Sequence, residues 1–251
     1  MPASGLLLGL SAAVRATSLN LCTDEYLLLL ARPDQIAGVS YLSREPAELP
    51  LWRIARRYPG NRGSVEDVLA LRPNLILMMG GGGRASALLT RRLGIRAIDL
   101  PYATSIEGVE KNLRTVAAAL GESRRADPWI ARIKRLRVSA PAVAVDTIWV
   151  SGGGDSLTAG SLGVQWLRLA GFQQRALPGG RADLETLLTK PPKILIRSDY
   201  RSGQLSGGRR WLDHPIVRRA GARQIVTDGR PWTCMGPLAA LEIERLRRSD
   251  R

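Results

Sequence analysis

The chain contains 251 residues, 45% of them hydrophobic, and its formal net charge is +15. This size allows one large hydrophobic core or two modest ones, and nothing in the sequence is long and apolar enough to span a membrane. Only four of the 37 basic residues are lysines, the arginines are scattered over every segment, and base-stacking aromatic residues are few. A nucleic-acid-binding protein is therefore disfavoured, and an arginine-for-lysine bias of the genome explains the charge better.

The first sixteen residues are predicted to form a secretory signal peptide. Residues 5–14 make a ten-residue apolar segment, small residues follow at the −3 and −1 positions (Val14 and Ala16), and Thr17 is the expected mature N-terminus. The segment lacks the basic residues that usually precede such an apolar run, so an ordinary buried helix is the alternative.

A first α/β lobe is predicted over residues 17–104. Its expected elements are a strand at 17–21, a helix capped by Thr23 or Asp24 that runs to residue 31, a strand at 36–40, an irregular stretch at 41–63, a short helix after Ser64, a strand at 75–79, a helix at 85–93 and a strand at 97–100. The strands after prolines are short and wholly apolar, as in parallel sheets covered on both faces.

A helical connector is predicted over residues 105–142. Apolar residues recur at helical spacing from Ile106 to Leu120, with Thr104 or Ser105 as the cap and Gly121 as the stop, and Asp127 and Pro128 open a second helical stretch. The chain therefore crosses between lobes once, on helix, which predicts limited hinge opening.

The second lobe is predicted over residues 143–251. Its expected elements are a strand at 146–150, a helix near 162–170, a short helix after Asp183, a strand that starts near residue 194, a helix around 211–219, a strand at 224–226 and a last helix from Leu238.

The sequence contains an internal repeat, which predicts that the two lobes are alike and that a cleft lies between them. Residues 65–78 align without gaps on residues 184–197, and residues 91–98 echo residues 218–225. The matched residues in the longer stretch are Glu66 and Glu185, Leu69 and Leu188, and Pro73 and Pro192. Ser64 and Asp183 are the expected N-caps, and the spacing predicts one buried face in each helix, formed by residues 65, 68 and 69 and by residues 184, 187 and 188.

Three segments are candidates for ligand contact. Glycine-rich loops at 80–84 and 151–155 follow buried strands, where ligands of α/β proteins bind, but neither loop has the phosphate-binding pattern. Residues 231–237 place Trp232 in a predicted loop after the last strand. A large aromatic side chain there suits a large organic ligand, and a place in the core is the alternative.

Catalytic and metal-binding motifs are missing from the sequence. His214 is the sole histidine and is expected at a helix end, and no metal-ligand or nucleophile motif is present, so we expect neither an enzyme nor a bound cofactor. Cys22 and Cys234 belong to no metal-binding motif. Two separate buried cysteines are the default expectation, and a disulfide between them is the alternative.

Three segments resemble the cobalamin and iron–siderophore periplasmic binding proteins of ABC importers. They are residues 18–25, residues 62–77 with the pattern Val-Glu-x-Val-Leu-Ala-Leu-x-Pro-Asn-Leu-Ile, and residues 232–237. The likeness extends from Thr17 to about Leu246. It implies two α/β lobes joined by a long helix, a monomer, a periplasmic location and a shallow cleft that holds a metal chelate, namely a ferric siderophore, cobalamin or haem.

The resemblance also implies roles for individual residues. Glu66 and Glu185 fall where the family docks onto arginines of the membrane permease, although each is also a favourable glutamate in a helix's first turn. Residues that fall where the family contacts its ligand are Tyr41, Met79, Gly80, Gly152, Tyr200 and Trp232. Arg84 or Arg201 would suit the propionates of haem. A cytosolic α/β enzyme that binds a nucleotide or sugar is the runner-up function.

Overall fold

The computed structural model describes residues 13–80, 83–200 and 207–249, and for residues 83–85 and 87 the backbone alone. Most of the predicted signal peptide, residues 1–12, lies outside the described residues. Across the ranges that are described, no helix combines the length and the hydropathy needed to cross a membrane.

The first lobe is built on a five-stranded parallel sheet. The strands are β1 (Ala16–Ser18), β2 (Ile36–Ser40), β3 (Gly60–Asn61), β4 (Leu75–Met79) and β5 (Arg96–Leu100), in the spatial order β3-β2-β1-β4-β5. Its helices are α1 (Leu21–Leu30), α2 (Trp52–Ala55), α3 (Val65–Val68) and α4 (Gly83–Arg92). Every residue of β1 and β2 is buried, as expected for a parallel sheet with both faces covered.

Two helices connect the lobes: α5 (Ile106–Leu120) and α6 (Asp127–Val138). The Ser105 side chain caps α5 by accepting a hydrogen bond from the Gly108 N–H, and Gly121 ends it in the left-handed conformation, with φ of 74°. The expected long joining helix is therefore divided in two at Gly121, the residue that was predicted to stop it.

The second lobe carries a four-stranded parallel sheet. Its strands are β6 (Val145–Val150), β7 (Phe172–Gln174), β8 (Ile194–Asp199) and β9 (Arg223–Asp228), in the order β7-β6-β8-β9. Its helices are α7 (Leu162–Ala170), α8 (Leu184–Thr189), α9 (Gly207–Leu212), α10 (Pro215–Arg218), α11 (Arg230–Cys234) and α12 (Pro237–Ser249).

The sequence repeat corresponds to a repeat of topology. Without the edge strand β3, the order β2-β1-β4-β5 of the first sheet matches β7-β6-β8-β9 of the second. The repeated helices α3 and α8 each lead into the matched strands β4 and β8. Both predicted N-caps are confirmed, since Ser64 accepts from the Asp67 N–H at 3.2 Å and Asp183 from the Thr186 N–H at 2.5 Å.

The start of the first lobe differs from the prediction. Helix α1 begins at least three residues earlier than expected because the Asn20 side chain, rather than Thr23 or Asp24, accepts the capping hydrogen bond from the Thr23 N–H at 3.0 Å. Ala16 is fully buried in β1 and pairs with Leu75. A mature chain that began at Thr17 would thus lose one residue of the first strand.

Helix α1 joins the two lobes. Cys22 in α1 forms a disulfide with Cys234 at the end of α11, so the default expectation of two separate cysteines was wrong. One turn further along α1, a Glu25 carboxylate oxygen accepts a hydrogen bond from the Leu238 N–H of α12 at 2.6 Å. A covalent bond and a buried polar contact therefore connect the same short helix to the second lobe.

The two acidic residues of α1 are both buried, with at most 1% exposure. Loss of solvation raises the pKa of Glu25 to about 8, and the Leu238 N–H opposes that rise only in part. Burial likewise raises the pKa of Asp24 to about 6, against several hydrogen bonds from Ser40 and its neighbours. Glu25 is thus protonated at neutral pH in the folded protein.

The raised pKa of Glu25 predicts a pH dependence of stability. Above its ordinary value of 4.5 the unfolded chain releases this proton while the folded chain keeps it up to about pH 8. The free energy of unfolding should therefore fall between pH 4.5 and 8, by roughly 4 kcal/mol from this residue. Glu25→Gln should remove that component, which urea unfolding of both proteins at pH 5 and pH 8 would measure.

Asp24 acts as an internal reference in this experiment, because its own contribution falls between pH 3.8 and about 6 and is the same in both proteins. Parallel stability profiles for wild type and Glu25→Gln between pH 6 and 8 would contradict the prediction.

Candidate functional site

The carboxyl edges of the two sheets face each other. The segment that follows β2 in the first lobe contacts the residues that follow β8 and β9 in the second. Arg230 donates from Nη1 to the Pro46 carbonyl at 2.9 Å, and the Tyr200 hydroxyl is hydrogen-bonded to the Glu48 carboxylate. Ligands of parallel α/β sheets bind at carboxyl edges, so this junction is the candidate site.

Two predicted ligand residues of the first lobe lie at this edge in positions open to a ligand. Tyr41 directly follows β2 and is 52% exposed, while Met79 ends β4 and is partly buried. The Tyr41 backbone N–H donates to the Asn61 carbonyl at 2.8 Å, which anchors the residue to β3. The exposed ring is therefore carried on a fixed backbone.

A second aromatic residue at this edge, Tyr102, was missed by the sequence analysis. It lies two residues after the end of β5, is 67% exposed, and its ring lies over the next predicted residue, Gly80. A Cβ atom at Gly80 would lie 2.3 Å from the Tyr102 ring, and the backbone there has φ of 81°. Gly80 is thus required by its conformation and by the ring. Tyr102 follows β5 as Gly80 follows β4, so a search of the residues after every predicted strand would have found it.

The glycine loop after β6 is packed within the second lobe. A Cβ atom on Gly152 would approach the Gly208 backbone to 3.3 Å, and one on Gly154 would lie 2.5 Å from the Ala182 carbonyl oxygen. This close packing accounts for both glycines without a ligand. Contact between Gly152 and a ligand stays a prediction. In the other glycine loop, residues 81 and 82 lie outside the described residues.

Tyr200 takes part in the contact between lobes. Its ring is partly buried, its hydroxyl is engaged by Glu48, and its backbone lies so close to Gly229 that a Cβ atom there would be 2.8 Å from the Tyr200 Cα. The residue therefore lies at the facing edges, as expected, but with its polar atom already hydrogen-bonded.

Trp232 was predicted to lie in a loop, but the structure places it in a helix. Residues 230–234 form α11, and the Trp232 side chain is 5% exposed. Its ring packs against Trp149 at 5.4 Å between centroids, and its indole N–H donates to the Thr227 hydroxyl at 2.8 Å. This placement favours the core alternative, because the apolar ring and its polar atom both have partners within the protein.

Two arginines at the second lobe's edge are paired with aspartates. Arg230 forms an ion pair with Asp228 at 2.6 Å, and Arg209 contacts both Asp199 and, at 3.0 Å, Asp213. The Arg201 residue and the Arg84 side chain, which would suit an anionic ligand, lie outside the described residues.

Within the part of the chain that the structure describes, no cluster of three or more histidine, cysteine or acidic residues could hold a metal ion. His214 lies at a helix end as expected, where its Nδ1 accepts a hydrogen bond from the Ile216 N–H at 3.2 Å and caps α10. Its ring thus has a structural role.

The two repeated glutamates lie on the surface. Glu66 and Glu185 each occupy the first turn of a repeated helix, are exposed, and make no ion pair with any residue of the described ranges. Their free carboxylates are therefore available to a partner.

Comparison with known proteins identifies the family. A model described as "Periplasmic binding protein" matches residues 17–207, about three quarters of the chain. The chain belongs to the periplasmic binding protein family. Its members are binding proteins, in accord with the two similar lobes and the facing sheet edges described above. No protein with a curated function matches the chain by sequence.

Solved structures show the same fold at low sequence identity. The haem-binding protein HutB of Vibrio cholerae superposes with a TM-score of 0.72 at 17% identity, covering 95% of this chain and 99% of that one. The haem-binding protein RhuT of Roseiflexus sp. RS-1 gives 0.70 at 19% identity, covering 94% and 97%. The vitamin B12-binding protein BtuF of Vibrio cholerae gives 0.63 at 18% identity, covering 93% and 95%. The predicted α/β fold with two parallel-sheet lobes is confirmed.

The burial of Trp232 predicts that its truncation destabilises the protein. Trp232→Ala should lower the free energy of unfolding by roughly 3–5 kcal/mol, because it leaves a cavity beside Trp149 and removes the indole donor from the Thr227 hydroxyl. Urea unfolding of the ligand-free protein measures this effect.

Trp52→Ala is the matched control. That ring lies in α2, is partly exposed and contacts the Arg53 and Arg56 guanidinium groups, so its removal should cost about 1 kcal/mol. Equal unfolding free energies for wild type and Trp232→Ala would show that the ring is not part of the core.

Proposed function

We propose that this protein is the substrate-binding component of an ABC importer and that it captures a metal chelate between its lobes. The observation that carries the proposal is the meeting of two parallel-sheet carboxyl edges, with exposed tyrosines at the first of them, in a chain of the periplasmic binding protein family. Solved structures with this fold include proteins that bind haem and vitamin B12, both of which hold a metal ion in a large macrocycle.

The chemistry of the first lobe's edge suits such a ligand. Tyr41 and Tyr102 offer exposed aromatic faces, and Met79 adds a polarizable thioether between the strands that carry them. Aromatic and thioether groups pack well against a conjugated ring system. Gly80 lies next to Met79 and has no side chain, so the Tyr102 ring can pack directly against its backbone.

Delivery to the permease is assigned to Glu66 and Glu185. The two carboxylates occupy equivalent places on similar lobes and are free of internal ion pairs among the described residues. Two such groups suit a two-fold symmetric pair of membrane subunits that present arginines, since each pair forms a charge-assisted hydrogen bond. This role requires export to the periplasm, for which the apolar residues 5–14 are the proposed signal.

Titration with chelates tests the binding function. Haem, cobalamin and a ferric catecholate siderophore are added separately to the purified protein, and binding is followed by the change in ligand absorption. We expect saturable binding of at least one chelate. For that chelate, Tyr102→Ala should weaken binding about tenfold, the scale expected for one lost aromatic contact.

Leu93→Ala provides the control for Tyr102→Ala. Leu93 is 46% exposed and lies before β5, at the opposite end of the strand that Tyr102 follows. Its truncation removes a similarly exposed apolar side chain from the same lobe and should leave affinity unchanged. A chain that binds none of the three chelates would overturn the chelate assignment.

The docking role predicts a loss of transport without a loss of binding. Replacing both Glu66 and Glu185 by Ala should leave chelate affinity within about twofold of wild type, because both residues lie on repeated surface helices. Chelate uptake should fall at least about tenfold in cells that produce this protein only as the double variant. Each lost charge-assisted hydrogen bond to the permease costs roughly 1.5–3 kcal/mol.

Glu107→Ala is the control for the charge change, since Glu107 is also highly exposed but lies on the connector helix α5. Normal uptake by the Glu66 and Glu185 double variant would remove the docking assignment. A folded double variant that no longer binds chelate would show that these glutamates belong to the ligand site.

A further inference from the structure

The repeated leucines Leu69 and Leu188 are surface residues. Helical spacing predicted that they face the core together with residues 65, 68, 184 and 187. The structure buries Val65, Val68 and Leu187 completely but leaves Leu69 37% and Leu188 59% exposed. The prediction for these two leucines was wrong, and the core does not explain why the same apolar residue recurs at this position.

The local helix geometry turns both leucines outward. After Val68 the chain tightens into a 3₁₀ turn at Leu69–Leu71, so that the inward positions become 65, 68 and 71. Leu71 packs against the buried cluster in place of Leu69. In α8 the inward positions are likewise three apart, Leu184 and Leu187, and Leu188 projects to the outside.

Each exposed leucine lies one turn after a free glutamate. Glu66 and Leu69 form what we name the first-lobe knob, and Glu185 and Leu188 form the second-lobe knob. Residues three apart in a helix lie on the same side, so carboxylate and leucine can meet one partner together. Neither glutamate has an ion pair within the described ranges, although the whole chain carries a net charge of +15.

We propose that the two leucines are apolar anchors that insert into matching pockets of the permease, one for each membrane subunit. This inference rests on the proposed function and adds the chemistry of the partner surface. Each subunit would present an apolar pocket beside a cationic side chain, and the two pockets would be related by two-fold symmetry. The carboxylates orient the encounter, and the leucines hold the complex by desolvation.

Salt dependence separates the two contributions. Interactions between exposed charges are screened by salt, whereas burial of apolar surface is not weakened by it. The docking that depends on Glu66 and Glu185 should therefore weaken as ionic strength rises. The part that depends on Leu69 and Leu188 should persist at high ionic strength.

The experiment measures binding of the full chain to membrane vesicles that contain the cognate permease, at 0.05 M and 0.5 M salt. We expect Leu69→Ser with Leu188→Ser to weaken binding about a hundredfold at both salt concentrations, on the basis of about tenfold for each buried leucine. Glu66→Ala with Glu185→Ala should weaken binding strongly at low salt and much less at high salt. Chelate affinity should be unchanged in the leucine variant.

The control variant carries Leu93→Ser and Leu241→Ser. These leucines are 46% and 37% exposed, one in each lobe, and lie outside both knobs, so binding should equal that of wild type. Wild-type binding by the leucine variant at both salt concentrations would overturn this inference and leave the glutamate docking intact. Failure of wild type to bind the permease vesicles above protein-free vesicles of the same lipids would instead overturn the proposed function.

Discussion

The structure depends on the burial of one short helix, α1, between the two lobes. Eight of its ten residues are buried, and it packs against β1 and β2 of the first lobe, α5 of the connector and α12 of the second lobe. A helix buried on every side has no polar face to contribute, yet α1 contains two adjacent acidic residues. Hydrogen bonds from both lobes satisfy those residues, so that α1 favours the arrangement of the lobes in which both bonds form.

This central helix limits how the cleft can work. The lobes are joined at α1 by the disulfide and Glu25, and they are joined again where Tyr200 and Arg230 contact residues 46 and 48. With contacts in both places, the relative position of the lobes is set by packing rather than by a free hinge. A site of this kind is formed before its ligand arrives, which reduces the entropy cost of binding and selects for a ligand of fixed shape.

Local signals predicted much of the fold. The caps Ser64 and Asp183, the stop at Gly121 and the apolar runs after Pro73 and Pro192 each act within a few residues, and each element formed where it was predicted. The repeat then implied the matched order of strands. Errors arose where a distant contact or a change of helix type decides the outcome. Leu69 turns outward because a 3₁₀ turn replaces the α-helix, and Trp232 is buried because Trp149, far away in sequence, packs against it.

Among the candidate site residues, Tyr41, Met79 and Gly80 could be placed at a sheet edge from sequence because each lies at or just after the end of a predicted strand. The contact between Tyr200 and Glu48 could not, since it requires the mutual position of the two lobes. The disulfide could not be predicted for the same reason, since Cys22 and Cys234 are 212 residues apart in the sequence and meet only when the lobes are in place.

That separation makes most of the polypeptide a closed covalent ring that includes the connector, the second sheet and every strand of the first sheet except β1. A protease that cuts one exposed loop between Cys22 and Cys234 opens the ring but releases no fragment. The two pieces stay linked through sulfur and remain packed around α1. Only a second cut within the ring, or reduction of the disulfide, would allow a part of the molecule to separate.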